Sequence, residues 1–202
     1  MAKKTGEKYD AIIEAAVKVI ARHGYHNSQV TKIAREAQVA DGTIYLYFEN
    51  KDDILISLFR TKMSEFVDQV EQKIDQVESA EEKLYQLIYM HFKQFALDSS
   101  LAVVTQIELR QSNRKIREGI GATLKKYHLL IEELIRIGIA EGIFNAELDI
   151  RLMRQMIFGT LDETVTSWVM KDMKYSLLEL VQPINDLILN GVKKKESLQT
   201  QR

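Results

Sequence analysis

Ser28-Gln-Val-Thr-Lys-Ile-Ala-Arg-Glu-Ala-Gln-Val-Ala-Asp-Gly-Thr-Ile-Tyr-Leu-Tyr-Phe48 is the stretch that decides the fold. It reads as two short helices joined by Gln38-Val39-Ala40-Asp41, the proportions of a helix-turn-helix. In the first helix, Val30, Ile33, Ala34 and Ala37 form an inner face, and small Ala34 lets a second helix approach closely. The second helix, from about Gly42 to Phe48, is too short to stand alone and must be held by its neighbours. Ile44 and Phe48, four apart, supply its apolar stripe. That leaves Thr43, Tyr45, Leu46 and Tyr47 facing outward. Two outward tyrosines on so short a helix suit hydroxyl bonds to phosphates in a groove. By spacing alone they also suit a cap on a three-helix core. Gly42 permits close approach of backbone to DNA. Lys51, opening the next helix, pairs a cation with free amides, and both attract phosphate.

Outward from this stretch the chain reads as all-α, with about nine helices. Upstream, Ile12, Ile13, Ala16, Val17 and Ile20 fall at helical spacing and Gly24 stops the run. Downstream, Asn50 is placed to cap a long amphipathic helix that reaches about Val77. Ser79-Ala-Glu-Glu82 fits a capping box, with the Glu82 side chain reaching back to the Ser79 amide. Ser99 or Ser100 is expected to cap a helix from about Leu101 to Ser112. A long helix follows from about Lys115 to Glu141, with Gly142 at its left-handed end position. Asp149 caps a helix to about Lys171, and the last helix spans about Ser176 to Lys194, bent by Pro183. The expected domains are a DNA-binding unit at 1–50 and a ligand-binding and dimerisation unit at 51–194. Within the second, 51–77 is the connecting helix. Residues 195–202 form a polar tail expected to be disordered.

Composition narrows the classes. Of 202 residues, 46% are hydrophobic and 28% charged, a globular balance. One proline and nine glycines favour long helices over a many-turned sheet. The absence of cysteine removes disulfides, thiolate zinc sites and a thiol nucleophile, and fits a cytoplasmic protein. No signal peptide or membrane-spanning run is read. The net charge is -1, with +2 on residues 1–51 and -3 on the remainder, too mild an asymmetry to mark a nucleic-acid binder by itself. A helical-bundle enzyme is the competing class. The four histidines, His23, His26, His91 and His128, form no Glu-x-x-His pair, and neither a phosphate-binding glycine loop nor a nucleophile elbow occurs. No cofactor or metal is expected.

The helices beyond residue 79 hold more apolar surface than a simple dimer contact needs. A ligand pocket needs a few polar groups on such an apolar wall. Tyr89, Phe92, Phe95, Tyr127, Ile131, Phe158, Leu161 and Trp168 are the candidate wall, although a plain core would use the same residues. Gln106, Arg110 and Asn113 are the candidate polar groups, sharing one helical face. Arg110 suits an anionic headgroup or, equally, a salt bridge, for instance to Glu163. In the eighth helix, Met153, Ile157, Leu161 and Trp168 trace one stripe, and Leu152, Met156, Gly159 and Glu163 another. Two stripes suit a helix that faces its own core and a partner, so a homodimer through the last two helices is expected.

Residues 8–54, above all Ile33-Ala-Arg-Glu-Ala-Gln-Val-Ala-Asp-Gly-Thr-Ile-Tyr-Leu-Tyr-Phe-Glu-Asn-Lys-Asp-Asp-Ile-Leu55, resemble the N-terminal domain of the TetR family of bacterial repressors. Gln38 stands where that family usually has glycine, and Ala40 where it usually has a capping Ser or Thr, so Asp41 becomes an alternative cap. The resemblance implies an all-helical homodimer on a palindromic operator, released when a small molecule fills the C-terminal domain. It further implies that Gln29, Thr31, Lys32, Thr43, Tyr45, Tyr47 and Lys51 touch DNA. Thr43 and Leu46 are the candidates for base edges through thymine methyl contacts. The stretch Val104–Asn113 together with Arg154–Val169 resembles a narrower group, the FadR-type fatty-acid-degradation repressors of bacilli. For that group the implied effector is a long-chain acyl-CoA. A drug-like hydrophobic ligand is the alternative.

Overall fold

The computed structural model describes residues 5–108 and 114–193. Among the described residues nine α-helices occur, and no strand beyond an isolated bridge between Phe144 and Lys193. In chain order they are α1 (Glu7–His23), α2 (Val30–Glu36), α3 (Asp41–Tyr47), α4 (Lys51–Ile74), α5 (Ala80–Leu97), α6 (Ser99–Val103), α7 (Arg114–Ala140), α8 (Ile150–Met170) and α9 (Val181–Val192). A π-helical turn, Val104–Glu108, continues α6, and a 3-10 turn, Leu177–Leu180, precedes α9. No helix is long and apolar enough to cross a membrane among the described residues.

α1, α2 and α3 bury Ile12, Ile13, Ala16, Ile20, Ile33, Ala34, Ile44 and Phe48 against each other, and Ile54 and Leu55 of α4 close the same core. α4 then runs on as a shared wall. It packs on α1, α5 and α7, with Ile56 in its first half already against Gly119 of α7. The Tyr9 hydroxyl meets Thr61 Oγ1 at 3.0 Å, and Glu14 pairs with Lys62, so α1 is tied to α4 at two levels. α7 packs between α4 and α8, while α9 lies on α5.

Several helix ends match the sequence reading. Asn50 and Asp149 accept backbone N–H groups of α4 and α8 at 2.7–3.1 Å. Gly142 has φ +72 and closes α7, its N–H donating to the Ile139 carbonyl while the Ile143 N–H donates to that of Gly138.

Other ends differ. Ser79 accepts the Glu82 N–H, but its hydroxyl donates to the Glu82 carboxylate, and it is the neighbouring Ala80 amide that is taken by Glu141. α6 is capped by Asp98, which accepts from Leu101 N–H at 2.9 Å, so neither serine caps it. The expected continuous helix to Ser112 passes into the π turn after Val103, and residues 109–113 lie outside the described set. Pro183 sits in the first turn of α9, where its missing N–H is no loss. The 3-10 turn before it takes up the change of direction. The 195–202 tail lies outside the described residues.

The helix-turn-helix junction carries a conformational cost. The Val39 N–H donates to Ala34 O and the Gln38 N–H to Arg35 O, the double bond pattern that places Gln38 in the left-handed position. Its φ is +55, a conformation costing a side chain about 1–2 kcal/mol. Gln38→Gly should remove this cost, partly offset by about 0.5–1 kcal/mol of extra chain entropy. A thermal melt should show a Tm rise of up to about 4 °C, whereas Gln38→Val should lower it.

Candidate DNA-binding surface and ligand chamber

α3 presents its outer face as expected. Tyr45 is 59% and Leu46 68% exposed, a costly surface for two large apolar groups unless a partner covers it. Gln29, Thr31, Lys32 and Gly42 are also exposed, and Thr43 is half-buried. Tyr47 is half-buried against Tyr9 and Phe48, with ring centroids 6.3 and 6.4 Å away. Its ring is therefore part of the core edge, and only its rim is available outside. Ala40 is the N-cap residue of α3 and makes no side-chain cap bond, while Asp41 lies in the first helical turn. The alternative capping role for Asp41 is not taken up.

Lys51 is engaged with its own chain. Its Nζ donates to the carbonyls of Tyr25 and His26 at 2.9 and 3.1 Å and lies 4.5 Å from the Tyr25 ring centre. Tyr25, which the sequence reading passed over, is 4% exposed in the turn between α1 and α2. Its hydroxyl donates to Asp52, and its N–H donates to Glu108 Oε2 at 2.7 Å. Burial, then the hydrogen bond to Asp52 and the charge of that carboxylate, raise the Tyr25 phenol above its ordinary pKa. The preceding Gly24, at φ +73, turns the chain so that a Cβ there would lie 3.5 Å from Glu108 Oε1. Nothing in local sequence periodicity marks this meeting, because its partners are 26 to 83 residues away.

The second site is a chamber of ~180 Å³ among α4, α5, the π turn, α7 and α8. Its walls are Phe59, Met63, His91, Phe95, Thr105, Gln106, Ile120, Leu124, Tyr127, Phe158 and Asp162. Four sequence candidates meet there: Phe95, Gln106, Tyr127 and Phe158. Five lie outside its lining. Phe92, Ile131 and Leu161 are fully buried in the packing between helices. Tyr89 is half-buried under the Lys93 ammonium. Trp168 uses its Nε1–H on the Tyr175 carbonyl at 2.8 Å, stapling the end of α8. Arg110 and Asn113 lie outside the described residues. Gln106 is 4% exposed and receives a hydrogen bond from Thr166 Oγ1 at 2.8 Å.

His91, treated above only as a possible catalytic or metal residue, is the chamber's most constrained polar group. Its Nδ1 shares a 3.1 Å hydrogen bond with the Tyr127 hydroxyl, and its ring stacks on Tyr127 at 5.9 Å. Phe66, Phe92 and Phe95 surround it edge-on, and its buried Nε2 has no hydrogen-bond partner among the described residues. Burial lowers its pKa to about 3 and pushes the Tyr127 phenol up. The pair is neutral across physiological pH, and the rest of the wall is apolar apart from Thr105, Gln106 and Asp162. His128, behind Phe158 at 4.8 Å, is also lowered by burial and by Arg154, against the pull of Glu132.

Comparison with known proteins places both halves. Residues 12–58 match the model of bacterial regulatory proteins of the tetR family, and residues 59–191 that of the YsiA-like protein C-terminal region. A fatty acid metabolism regulator protein from Bacillus subtilis is 52% identical over 193 residues, which is 96% of this chain and all of the relative. The solved fatty acid degradation regulator FadR of Bacillus halodurans superposes with a TM-score of 0.89. It is 58% identical, over 92% of this chain and 100% of that one. FadR of Bacillus subtilis, solved in complex with stearoyl-CoA, also gives 0.89. It is 53% identical, over 91% and 99% of the two chains.

Two measurements follow. Tyr47→Phe keeps the ring that packs on Tyr9 and removes only the hydroxyl. It should weaken binding to selected and random duplexes alike by about 2–10-fold, the worth of one hydrogen bond, as read by fluorescence anisotropy. His91→Gln should flatten the acid limb of stability. The folded His91 pKa lies below the unfolded value of about 6.5, so the unfolded chain takes up a proton first as pH falls. The stability it contributes is present above pH 6.5 and is lost between 6.5 and about 3. Urea titrations at pH 7.5 and 5 should show the wild type losing about 2 kcal/mol more than the variant.

Proposed function

Because the chain belongs to the tetR family of bacterial regulatory proteins, we propose that it is a cytoplasmic repressor of fatty-acid-degradation genes that leaves its operator when a long-chain acyl-CoA fills the chamber. The observation that carries this reading is the placement of α4. Phe59 and Met63 of α4 line the chamber, while Lys51 and Asp52 at its start hold the turn of the DNA-binding module. At ~180 Å³ the chamber is smaller than the ~300–1,000 Å³ of drug-sized ligand pockets. A long acyl chain must push its walls apart. It therefore binds an expanded state in preference to the closed one, and that difference is what shifts the equilibrium away from DNA.

The DNA surface proposed is Gln29, Thr31, Lys32, Gly42, Thr43, Tyr45, Leu46 and Tyr47, with Lys51 acting through the turn it holds. A dimer on a palindromic operator would place the two α3 helices about one DNA turn apart. Surface chemistry supports a partner at α8 and α9. Met153, Ile157 and Leu161 face inward. Leu152 is 66% and Leu187 71% exposed, while Leu148 and Met156 are also exposed. Gly159 leaves open space beside Met156, where a partner helix would pack closely.

Saturating stearoyl-CoA should release the protein from a duplex selected from random-sequence DNA, with affinity falling at least tenfold. Unchanged affinity with calorimetrically confirmed binding would remove the effector role. Leu187→Glu should convert a species of twice the chain mass into single chains by light scattering, and should weaken DNA binding. A wild-type protein already at one chain mass would contradict the dimer.

A further inference from the structure

The π turn reaches from the chamber to the DNA-binding module within four residues. Thr105 and Gln106 line the chamber, and Glu108, ending the same turn, accepts the Tyr25 N–H at 2.7 Å. Tyr25 stands in the segment that launches α2: the Ser28 N–H and Oγ–H both donate to the Gly24 carbonyl, and α2 begins two residues later. The other two polar groups of Tyr25 are held by α4, through Asp52 and Lys51. Its hydroxyl, carbonyl and amide are thus gripped by the two elements that carry the chamber wall nearest the DNA-binding module.

We propose that Glu108 is a positioning residue for DNA binding: its bond to the Tyr25 amide aligns α2 and α3, and a guest in the chamber breaks that bond through the π turn. A π turn holds one residue more than the α-helix around it and occurs mostly as a single turn at functional sites. Passing that residue on re-aims the side chains beyond by about 100°, one residue's rotation. Glu108 lies two residues beyond Gln106 in the same turn, so a shift of Thr105 and Gln106 reaches its side chain directly. The Thr105 hydroxyl, bonded to the carbonyls of Leu101 and Ala102 at 2.9 and 3.2 Å, supports the turn from inside. This arm is separate from the displacement of α4 and rests on the chamber being the effector site.

The first test uses the wild-type protein without DNA. Amide hydrogen exchange at Tyr25 should quicken at least tenfold when stearoyl-CoA saturates the chamber. Calorimetry in the same buffer reports binding independently, so failure to bind counts against the effector and not against Glu108. Unchanged or slower exchange at confirmed saturation would overturn the proposal. The second test compares Glu108→Ala and Glu108→Gln without effector, on the selected duplex. Alanine should weaken DNA binding about tenfold, while glutamine, which retains an accepting oxygen, should stay within about threefold of wild type. Both should bind stearoyl-CoA at least as tightly as wild type. Alanine at wild-type DNA affinity, or glutamine as impaired as alanine, would overturn it. Should the alanine variant fail to fold, the exchange experiment decides alone.

Discussion

Tyr25 is where three directional bonds to charged side chains meet between the DNA-binding module and the rest of the chain. Its ring is buried, and each of its polar groups is met by a charged side chain from the C-terminal unit or from the helix that enters it. Asp52 takes the hydroxyl, Lys51 the carbonyl and Glu108 the amide. Hydrogen bonds to charged partners are roughly twice as strong as neutral ones, and they fix angle as well as distance. The packing of α1 on α4 is mostly apolar, with the Tyr9–Thr61 and Glu14–Lys62 bonds fixing it along α4. The bonds at Tyr25 also give direction, and so set how α2 and α3 stand relative to the chamber.

The chamber has the opposite character. Its wall is mostly aromatic and aliphatic, closed around a neutral His91–Tyr127 pair that burial keeps neutral. An apolar void binds an apolar chain with little directional demand. In the proposed mechanism its smallness couples occupancy to shape, because close-packed interiors transmit strain instead of absorbing it. Two of the elements that line it, α4 and the π turn, also bond to Tyr25. The bacilli regulators that this chain resembles over nearly its full length include one solved in complex with stearoyl-CoA.

Much of this was legible in the sequence where the determinants are local. The caps at Asn50 and Asp149 and the glycine end of α7 depend on neighbours within five residues, and the core residues Ile33, Ala34, Ile44 and Phe48 fall at helical spacing in their two short segments. The exceptions are instructive. Asp98 outcompetes two serines for the α6 cap by its geometry to Leu101, one residue earlier than composition suggests. The π turn is absent from any 3.6-residue periodicity, and Gln106 within it bonds Thr166, 60 residues away. Phe92, Ile131 and Leu161 share the composition of the chamber wall and differ from Phe95 and Phe158 only in which way their helices rotate. Tyr25 and Glu108, 83 residues apart, leave no periodic trace. Gln38 shows the reverse case. It stands where this family usually has glycine, and its φ of +55 is the left-handed conformation that glycine adopts at least cost.

The account turns on occupancy of the chamber moving the DNA-binding units of a dimer. The chain contains no cysteine, so Leu46→Cys gives a single spin-label site on the exposed face of α3. Pulsed electron–electron double resonance on this variant reads the distance between the two α3 helices directly. Without ligand, the distribution should place the helices near the ~34 Å of one DNA turn, and saturating stearoyl-CoA should move its centre by several ångströms. Identical distributions with and without bound ligand would contradict the account.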